Sequence, residues 1–499
     1  MRRLILVVLA IVVVLCLVAG AAVYWLLSGD AIRQALETQA SAWLGEPVHI
    51  AAAHAQLFPR VGIDLRDVRV GEPVRVTFAS VSVSAPLRPL LSRRIEDAAI
   101  TVSHSRIEMP LPFAMPSAGP QGGTAAPAAR IQLLSIRSIA LRDVAISSRG
   151  HTITLDADSS LAGSELRLER FIAVSGRTQL EAAGMVALDP RVDARLAVKA
   201  RSLDLDELMA LANAFAPTGR QPASRQSSNG RLPVRIAARV TADSATVDSL
   251  QARQLATNLE VDGDSVSLAP LSFQMFGGRY DGSVTARLGR TLTATLRAQL
   301  QRIDAGQLAA FGGVPGAISG TLAGSGSFSG AGADFAGVLR SAHGTGALSI
   351  VNGTIEHLDL IRTVVLFFGR PAPNSAPSSD RFDRIDARYS LAQQVLRADA
   401  LSLHSSDADI VGQGTFNIAT KALDGTFNLS LSEALSQQAG TDLFRYTHEG
   451  NRIVLPAKLG GTAGHPRLTI DAAAAVQRGL KNEIQRRLGD FLDRLNRKP

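Results

Sequence analysis

The sequence predicts a mainly β protein: an elongated antiparallel sheet folded into an apolar groove, with an N-terminal transmembrane helix, a few short helices and a C-terminal amphipathic helix. Three observations predict it. Apolar and polar residues alternate in many short segments. The 43 Gly and 22 Pro are spread along the chain, and residues 4–27 carry no charge. Period two is typical of half-buried strands, whereas a long uncharged apolar run is typical of a membrane span.

Alternation is clearest in residues 292–300 (LTATLRAQL), which place Leu292, Leu296 and Leu300 on one face and Thr293, Thr295 and Arg297 on the other. Similar segments recur about every 8 to 15 residues between Gly, Asp or Pro turns, as expected of antiparallel strands with one apolar face. The other segments add these residues to the predicted apolar face: Ile153, Leu155, Val266, Leu268, Phe427 and Leu429.

The N-terminal run decides the predicted topology. It contains Leu4, Trp25 and Leu27, follows Arg2 and Arg3, and is longer than the roughly 20 residues that a spanning helix needs. Cytoplasmic loops are rich in cations, so the sequence predicts a single-pass inner-membrane protein with its body in the periplasm. A cleaved signal peptide is the alternative, although its apolar stretch is shorter, roughly 7 to 15 residues.

Composition changes divide the chain into five predicted parts. Residues 1–28 are the anchor, 29–216 a first β-rich region with a loop at 110–129, and 217–232 a polar linker. Residues 233–470 are a second β-rich region with a loop at 369–380, and 471–499 form a basic helix. Short helices are predicted at residues 31–44 and at 205–215, the second with Asp204 as its N-cap.

The C-terminal helix has apolar residues opposite cations, which is typical of an interfacial helix. It could bind anionic lipid headgroups or an outer-membrane partner, or it could cap the last β layer. Its stripe and cations include Leu480, Ile484, Leu488, Phe491, Arg486 and Arg487. The apolar run at residues 361–368 could close the groove or be an ordinary buried segment.

Motifs of enzymes and of cofactor or metal sites are missing. The single cysteine, Cys16, lies in the apolar run, the nine histidines have no metal-ligand spacing, and there is no Gly-x-Ser-x-Gly elbow. We therefore expect no catalytic residues, cofactor or metal, and no nucleic-acid binding despite the net charge of +8. Gly-rich segments at 324–330, 344–346 and 412–414 are interpreted as turns between strands, and the pair Asp407/Asp409 as turn or cap residues.

Five segments, in order along the chain, resemble the AsmA family of bacterial envelope proteins. They are residues 57–70 (LFPRVGIDLRDVRV), 86–97 (PLRPLLSRRIED), 276–282 (FGGRYDG), 343–360 (HGTGALSIVNGTIEHLDL) and 455–467 (LPAKLGGTAGHPR). The resemblance implies an inner-membrane anchor and a periplasmic β-sheet folded lengthwise into an apolar trough. Larger relatives are implicated in moving phospholipid between envelope membranes.

A half-apolar sheet has to cover its inner face with a second sheet, with helices or with lipid acyl chains. Helices are few, and aromatic residues make up 5% of the chain, so small inward side chains would leave room for hydrocarbon. Sandwich layers that fill their own core remain the alternative. We therefore expect a protein that binds phospholipid and contributes to lipid transport, or else a scaffold that affects outer-membrane protein or lipopolysaccharide content through protein contacts.

Overall fold

The computed structural model describes residues 29–56, 60–92, 94–111, 132–215, 234–355, 381–438 and 448–471, together with Ala474 and Gln477. These residues form a mainly β protein with a few short helices, as predicted. The chain divides into two compact units. Unit 1 comprises Met1–Asp248 and Val261–Gly263, and unit 2 comprises Ser249–Glu260 and Asp264–Pro499.

Unit 1 begins with a helix and continues almost entirely as strands. Its elements are α1 (Gly29–Leu44), β1 (Val48–Gln56), β2 (Val61–Val70), β3 (Val76–Ala85), α2 (Leu87–Leu91), β4 (Arg94–Ile95), β5 (Ala98–Met109), β6 (Gln132–Leu133), β7 (Ser135–Ser148), β8 (His151–Ala162), β9 (Glu165–Ser175), β10 (Thr178–Ala187), β11 (Val192–Asp204), α3 (Leu205–Phe215) and β12 (Val234–Val247).

Neighbouring strands of unit 1 pair in chain order, β1–β2–β3–β5–β7–β8–β9–β10–β11–β12. The prediction of purely antiparallel pairing is wrong at three places. In the large sheet β5 pairs with β7 and β11 with β12 in parallel, and β4 pairs with β6 in parallel as a separate two-stranded sheet. A parallel pair needs a crossover long enough to return the chain to the same end of the sheet. The Pro- and Gly-rich stretches at 110–129 and 217–232 lie within the two crossovers of the large sheet.

Helix α1, which the sequence predicted, covers the first strands of unit 1 with an apolar stripe. Leu36, Ala40 and Leu44 pack on a buried apolar cluster from β1, β2 and the start of β3. The Glu37 carboxylate also accepts a hydrogen bond from the Ile50 amide at 2.7 Å. The helix ends at Gly45, whose φ of 73° favours glycine.

Unit 2 is an up-and-down series of strands with short helices at their ends. Its elements are β13 (Leu250–Asp262), β14 (Ser265–Met275), β15 (Gly278–Arg287), β16 (Leu292–Asp304), α4 (Ala305–Phe311), β17 (Thr321–Gly332), α5 (Phe335–Arg340), β18 (His343–Thr354), β19 (Arg381–Ala392), β20 (Val395–His404), β21 (Ala408–Asn417), β22 (Leu423–Leu431), α6 (Glu433–Gln438), β23 (His448–Glu449), β24 (Arg452–Thr462) and β25 (His465–Ile470).

Strands β14 to β22 pair antiparallel with their chain neighbours, and β24 joins β22 to β25. Hairpin turns are tight; Phe276 and Gly277 both have positive φ between β14 and β15, as two-residue turns between right-twisted strands require. The ends of all these strands therefore lie at two opposite sides of unit 2. The turns after β15, β19 and β21 are on one side, and the C-terminal ends of β16, β18, β20 and β22 are on the other.

Three Gly-rich segments that were predicted to be turns lie inside strands. Residues 324–330 belong to β17, residues 344–346 to β18, and residues 412–414 to β21. That prediction was wrong because glycine in a strand also marks a place where another group approaches the backbone closely.

The predicted anchor, the residues 361–368 and nearly all of the C-terminal helix lie outside the described residues. Within the described part of the chain, no helix is long and apolar enough to cross a membrane.

A charge cluster joins the strands of unit 2 on the face opposite the apolar one. Asp409 accepts from Arg452 Nη1 at 2.5 Å and lies 3.0 Å from His404 Nδ1. Arg452 also donates to the carbonyls of Leu431 and Ser430, so Asp409 is a cross-strand partner and not the predicted turn or cap residue. Partial burial raises the pKa of Asp409, but the hydrogen bonds and charges of Arg452 and His404 outweigh it and hold that pKa below its usual value.

We predict that Asp409→Asn destabilises β21 and β24 by about 1–2 kcal/mol at pH 7, because Arg452 loses a charged partner. A carboxyl whose folded pKa is depressed adds stability above its unfolded pKa, about 3.9, and loses it as the pH falls through the folded value. The wild-type advantage should therefore vanish in acid. Urea unfolding of both proteins, followed between pH 7 and pH 2.5, measures this, and a difference that stays constant down to pH 2.5 would contradict it.

Candidate functional site

The antiparallel register of unit 2 sorts the inner-face residues into rows that cross the strands. On β16 the alternation is complete from Leu292 to Gln301: even-numbered residues are half-buried and odd-numbered ones are exposed. Because each strand pairs in fixed register with the next, an inward residue on β16 continues as a row through β17 to β22 and on to β24. Four such rows follow one another along the strands.

The first row is fully buried and we call it the wall row. Each of its residues is directly paired with the next across the sheet, and none is more than 8% exposed. All eight belong to one apolar cluster, which therefore extends from β16 to β24 at this end of unit 2. The wall row consists of Ile303, Leu322, Ile350, Ile385, Leu403, Ile410, Leu429 and Leu455.

Two short helices complete the wall at the same end. Leu308 of α4 and Leu435 of α6 pack against the buried cluster. Asp304 caps α4 by accepting from the Gln307 amide at 3.0 Å. Ser436 of α6 is 1% exposed and accepts from the Ile453 amide at 3.0 Å. This end of unit 2 is therefore sealed by apolar side chains.

The second row, the deep row, mixes large and small residues and adjoins the wall. It comprises Leu300, Gly324, Leu348, Ala387, Leu401, Gly412, Phe427 and Ala457. Five of these are half-buried, while Ala387, Phe427 and Ala457 are buried.

The third row consists mostly of the smallest residues, and we call it the belt row. Gly282 of β15 continues it on one side through direct pairing with Ala298. Six of its eight members have no side chain beyond a methyl group, so these positions themselves add almost no side-chain volume to the interior. The belt row is Ala298, Gly326, Gly346, Tyr389, Ala398, Gly414, Gly425 and Leu459.

The fourth row, the mouth row, is large and apolar again, and all of its residues are half-buried. Burial therefore decreases steadily from the wall row to the mouth row. The interior of unit 2 is closed at the wall and open at the turns that follow the mouth row. The mouth row is Leu296, Phe328, Gly344, Leu391, Leu396, Phe416 and Leu423.

Aromatic rings lie across the inward glycines. A Cβ placed on Gly346 would lie 2.5 Å from the Tyr389 hydroxyl, and one on Gly326 would lie 2.7 Å from the Phe328 ring. A Cβ placed on Gly412 or on Gly425 would likewise meet the Phe427 ring. Each ring thus packs over an inward glycine of its own strand or of a neighbouring one.

Tyr280 shows the same arrangement on β15. Its hydroxyl crosses Gly282 and donates to the Arg297 carbonyl at 3.1 Å, while its ring stacks on Phe273 with centroids 4.5 Å apart. Burial raises the pKa of both Tyr280 and Tyr389, so the two phenols stay neutral at physiological pH.

Between the wall and mouth rows lies a cavity of about 510 Å³. It is lined by side chains of β16 to β22 and β24, with Leu308 of α4 beside the wall. Apart from Tyr389, Asp424 is the one ionisable residue among the described residues that line it. Such a volume falls within the range of small-molecule sites, roughly 300–1,000 Å³, and its surface has almost nothing to hydrogen-bond with. It suits an unbranched hydrocarbon.

The sequence-predicted groove residues fall in different places. Leu300 and Phe427 line the cavity, whereas Leu429 is in the wall and completely buried. Leu296 belongs to the mouth row, and Leu268 joins that row through Val284. Four further residues, Leu292, Val266, Ile153 and Leu155, are half-buried on their strands and do not line this cavity, the last two being in unit 1.

Sequence reasoning missed the belt row and the aromatic rings. Phe328, Tyr389 and Phe416 line the cavity but were not among the predicted residues. The sequence does contain a signal for the inward glycines: they occur in pairs, such as Gly324 and Gly326, that are two residues apart, which is the period of a strand.

In the part of the chain that the structure describes, no three His, Cys, Asp or Glu side chains come together where they could hold a metal ion. His404 and Asp409 meet, but Arg452 occupies the carboxylate, and this cluster lies on the face away from the cavity.

Residues 210–401 match the model of the AsmA family, which confirms the resemblance seen in the sequence. The match covers less than half of the chain, and it includes two of the five segments quoted above, residues 276–282 and 343–360. It begins within α3 and runs through β12 to β20, so it takes in part of the cavity. No curated protein and no solved structure matches the chain.

We predict that the wall and mouth rows differ sharply in what they contribute to stability. Leu429→Ala should destabilise β22 and β24 by about 2–5 kcal/mol, because it opens a void in a close-packed cluster. Leu396→Ala, at the half-exposed mouth, should cost no more than about 1 kcal/mol. Hydrogen exchange of the strand peptides measures both, and equal losses would contradict a closed wall and an open mouth.

Two glycines of β21 allow a matched test of the aromatic rings that pack over inward glycines. A Cβ on Gly412 would meet the Phe427 ring at 2.6 Å and the Thr426 carbonyl closer still, whereas one on Gly414 would lie 3.1 Å from its nearest neighbour, the Asp424 carbonyl. Gly412→Ala should therefore destabilise unit 2 by about 1–3 kcal/mol, and Gly414→Ala by less than about 1 kcal/mol. Urea unfolding ranks the two variants, and the reverse order would contradict this account.

Proposed function

We propose that this AsmA-like chain is an inner-membrane-anchored periplasmic protein that binds phospholipid acyl chains in the interior of unit 2 and contributes to lipid transport and outer-membrane homeostasis. The observation that carries the proposal is the cavity between the wall and mouth rows, which is large, apolar and open at one end. It acts as a binding protein, without a catalytic residue or a cofactor.

The energetics favour hydrocarbon as the occupant. Apolar surface gains about 25 cal/mol for each Å² removed from water, or about 0.8 kcal/mol per CH₂ group. Water in this cavity would find few hydrogen-bond partners, whereas a buried water typically makes about three hydrogen bonds. The half-buried leucines of the mouth row would be covered by the same chain. A ligand with an apolar tail and a polar head satisfies both the interior and the solvent at the turns.

The anchor and the C-terminal helix supply the rest of the proposal from sequence alone. Leu4, Trp25 and Leu27 would hold the chain in the inner membrane, and the basic face around Arg486 and Arg487 would contact a membrane surface or an outer-membrane component. A scaffold that acts through protein contacts is the competing function, and the following test separates the two.

Site-specific photo-crosslinking tests the proposal in cells. A photoreactive amino acid at Leu296 or Leu300 should form lipid adducts, because these side chains face the interior. The same probe at Thr295 or Arg297, which are exposed on the opposite face, should not. Mass spectrometry identifies the adducts. Protein adducts at the inward positions, without lipid, would support the scaffold, and equal labelling of the two faces would overturn the groove.

A further inference from the structure

The closed wall row sets how a lipid can enter. Ile303, Leu429 and Leu455 are 0% exposed, and the residues of the wall row contact one another within one cluster, with Leu308 and Leu435 beside them. A chain that enters from the mouth therefore meets packed leucine and isoleucine at its far end. Unit 2 taken by itself is a blind cup and not an open-ended tube.

The depth of the cup limits how much of a chain it holds. On β16 the mouth row and the wall row are seven residues apart, at Leu296 and Ile303, which is about 23 Å at about 3.3 Å per residue. A chain that enters from the mouth can bury only the part that fits within this depth.

Charge at the open end indicates where the polar head lies. The turns that follow the mouth row carry three cations, Arg290, Arg340 and Lys421. Asp334 caps α5, accepting from the Gly337 amide at 2.6 Å, and pairs with Arg340 at 4.0 Å. One more acid, Asp424, lines the cavity at this end, so the charge balance stays positive through Arg290 and Lys421. The sealed end offers a head group only apolar partners. An anionic head is thus favoured at the turns and disfavoured at the wall.

We propose that unit 2 binds an acyl chain tail-first, with the terminal methyl against the deep and wall rows and an anionic head at the turns beyond the mouth row. The inference rests on the proposed function and deepens it: the ligand class is an anionic lipid that presents an unbranched chain to the cup, and the closed wall row limits the length of chain that is buried. A fatty-acid carboxylate and a phospholipid phosphate share this chemistry.

The orientation is tested with the full-length protein in phosphatidylcholine vesicles that contain a trace of palmitate carrying a diazirine at carbon 5 or at carbon 15. The carbon-15 probe should label Leu300, Leu348 or Leu401 of the deep row, and the carbon-5 probe Leu391, Leu396 or Phe416 of the mouth row. Equal labelling of both rows by both probes overturns tail-first binding, although lipid is still bound. No adduct at any inward residue contradicts the proposed function itself. Parallel arms with diazirine-labelled lysophosphatidylglycerol and phosphatidylglycerol show which head the cup accepts.

Chain length gives an independent measurement. Competition by fatty acids of 10 to 24 carbons should strengthen about fourfold per CH₂ and stop improving once the chain reaches the wall row. Leu348→Trp, which fills the deep row, should shift that limit to shorter chains. Ala347→Trp, on the exposed face of the same strand, should leave it unchanged. Affinity that keeps rising to 24 carbons overturns the blind cup. If Leu348→Trp does not fold, the length series of the wild-type protein still decides.

Discussion

The apolar inward face of unit 2 must be removed from water. The protein itself buries this face at only one of the two ends of its strands. Where the inward residues are Ile and Leu, the wall row packs against itself across eight strands, and Leu429 and Leu455 reach 0% exposure. Where the same register positions hold Gly and Ala, no such contact is possible and a cavity remains. The contrast between neighbouring rows, set by side-chain volume along each strand, decides which part of the sheet is a core and which part is a site.

Glycine has a role here that differs from its usual one in turns. An inward glycine within a strand normally weakens the sheet, because it loses more conformational entropy and packs nothing. In unit 2 an aromatic ring from a neighbouring position covers it, as Tyr389 covers Gly346 and Phe427 covers Gly412. The ring restores the lost contact and the backbone stays shielded.

The sequence predicted the elements better than their connections. Period-two alternation identified the strand at 292–300 and its inward leucines, and the N-cap Asp204 marked the helix at 205–215, because these signals are local. The parallel pairings β5–β7 and β11–β12 were missed, since pairing direction depends on where a crossover returns the chain. The cavity could not be predicted either. Whether Leu296 lies at a mouth and Leu429 in a wall depends on the register of eight strands, and the Gly-rich segments were misread as turns because a glycine alone does not show what covers it.

A blind, apolar cup has the energetics that the proposed lipid carrier needs. Burial stabilises a chain by about 0.8 kcal/mol per methylene group relative to water, so release into water would be very slow. A bilayer provides the same apolar surroundings, so the difference between cup and bilayer is close to zero and transfer can run in either direction. The polar Tyr389 hydroxyl and the half-exposed mouth row weaken binding slightly relative to a sealed pocket. On this proposal the closed wall row leaves the same open end for loading and for unloading, and a membrane would meet unit 2 at the turns beyond the mouth row.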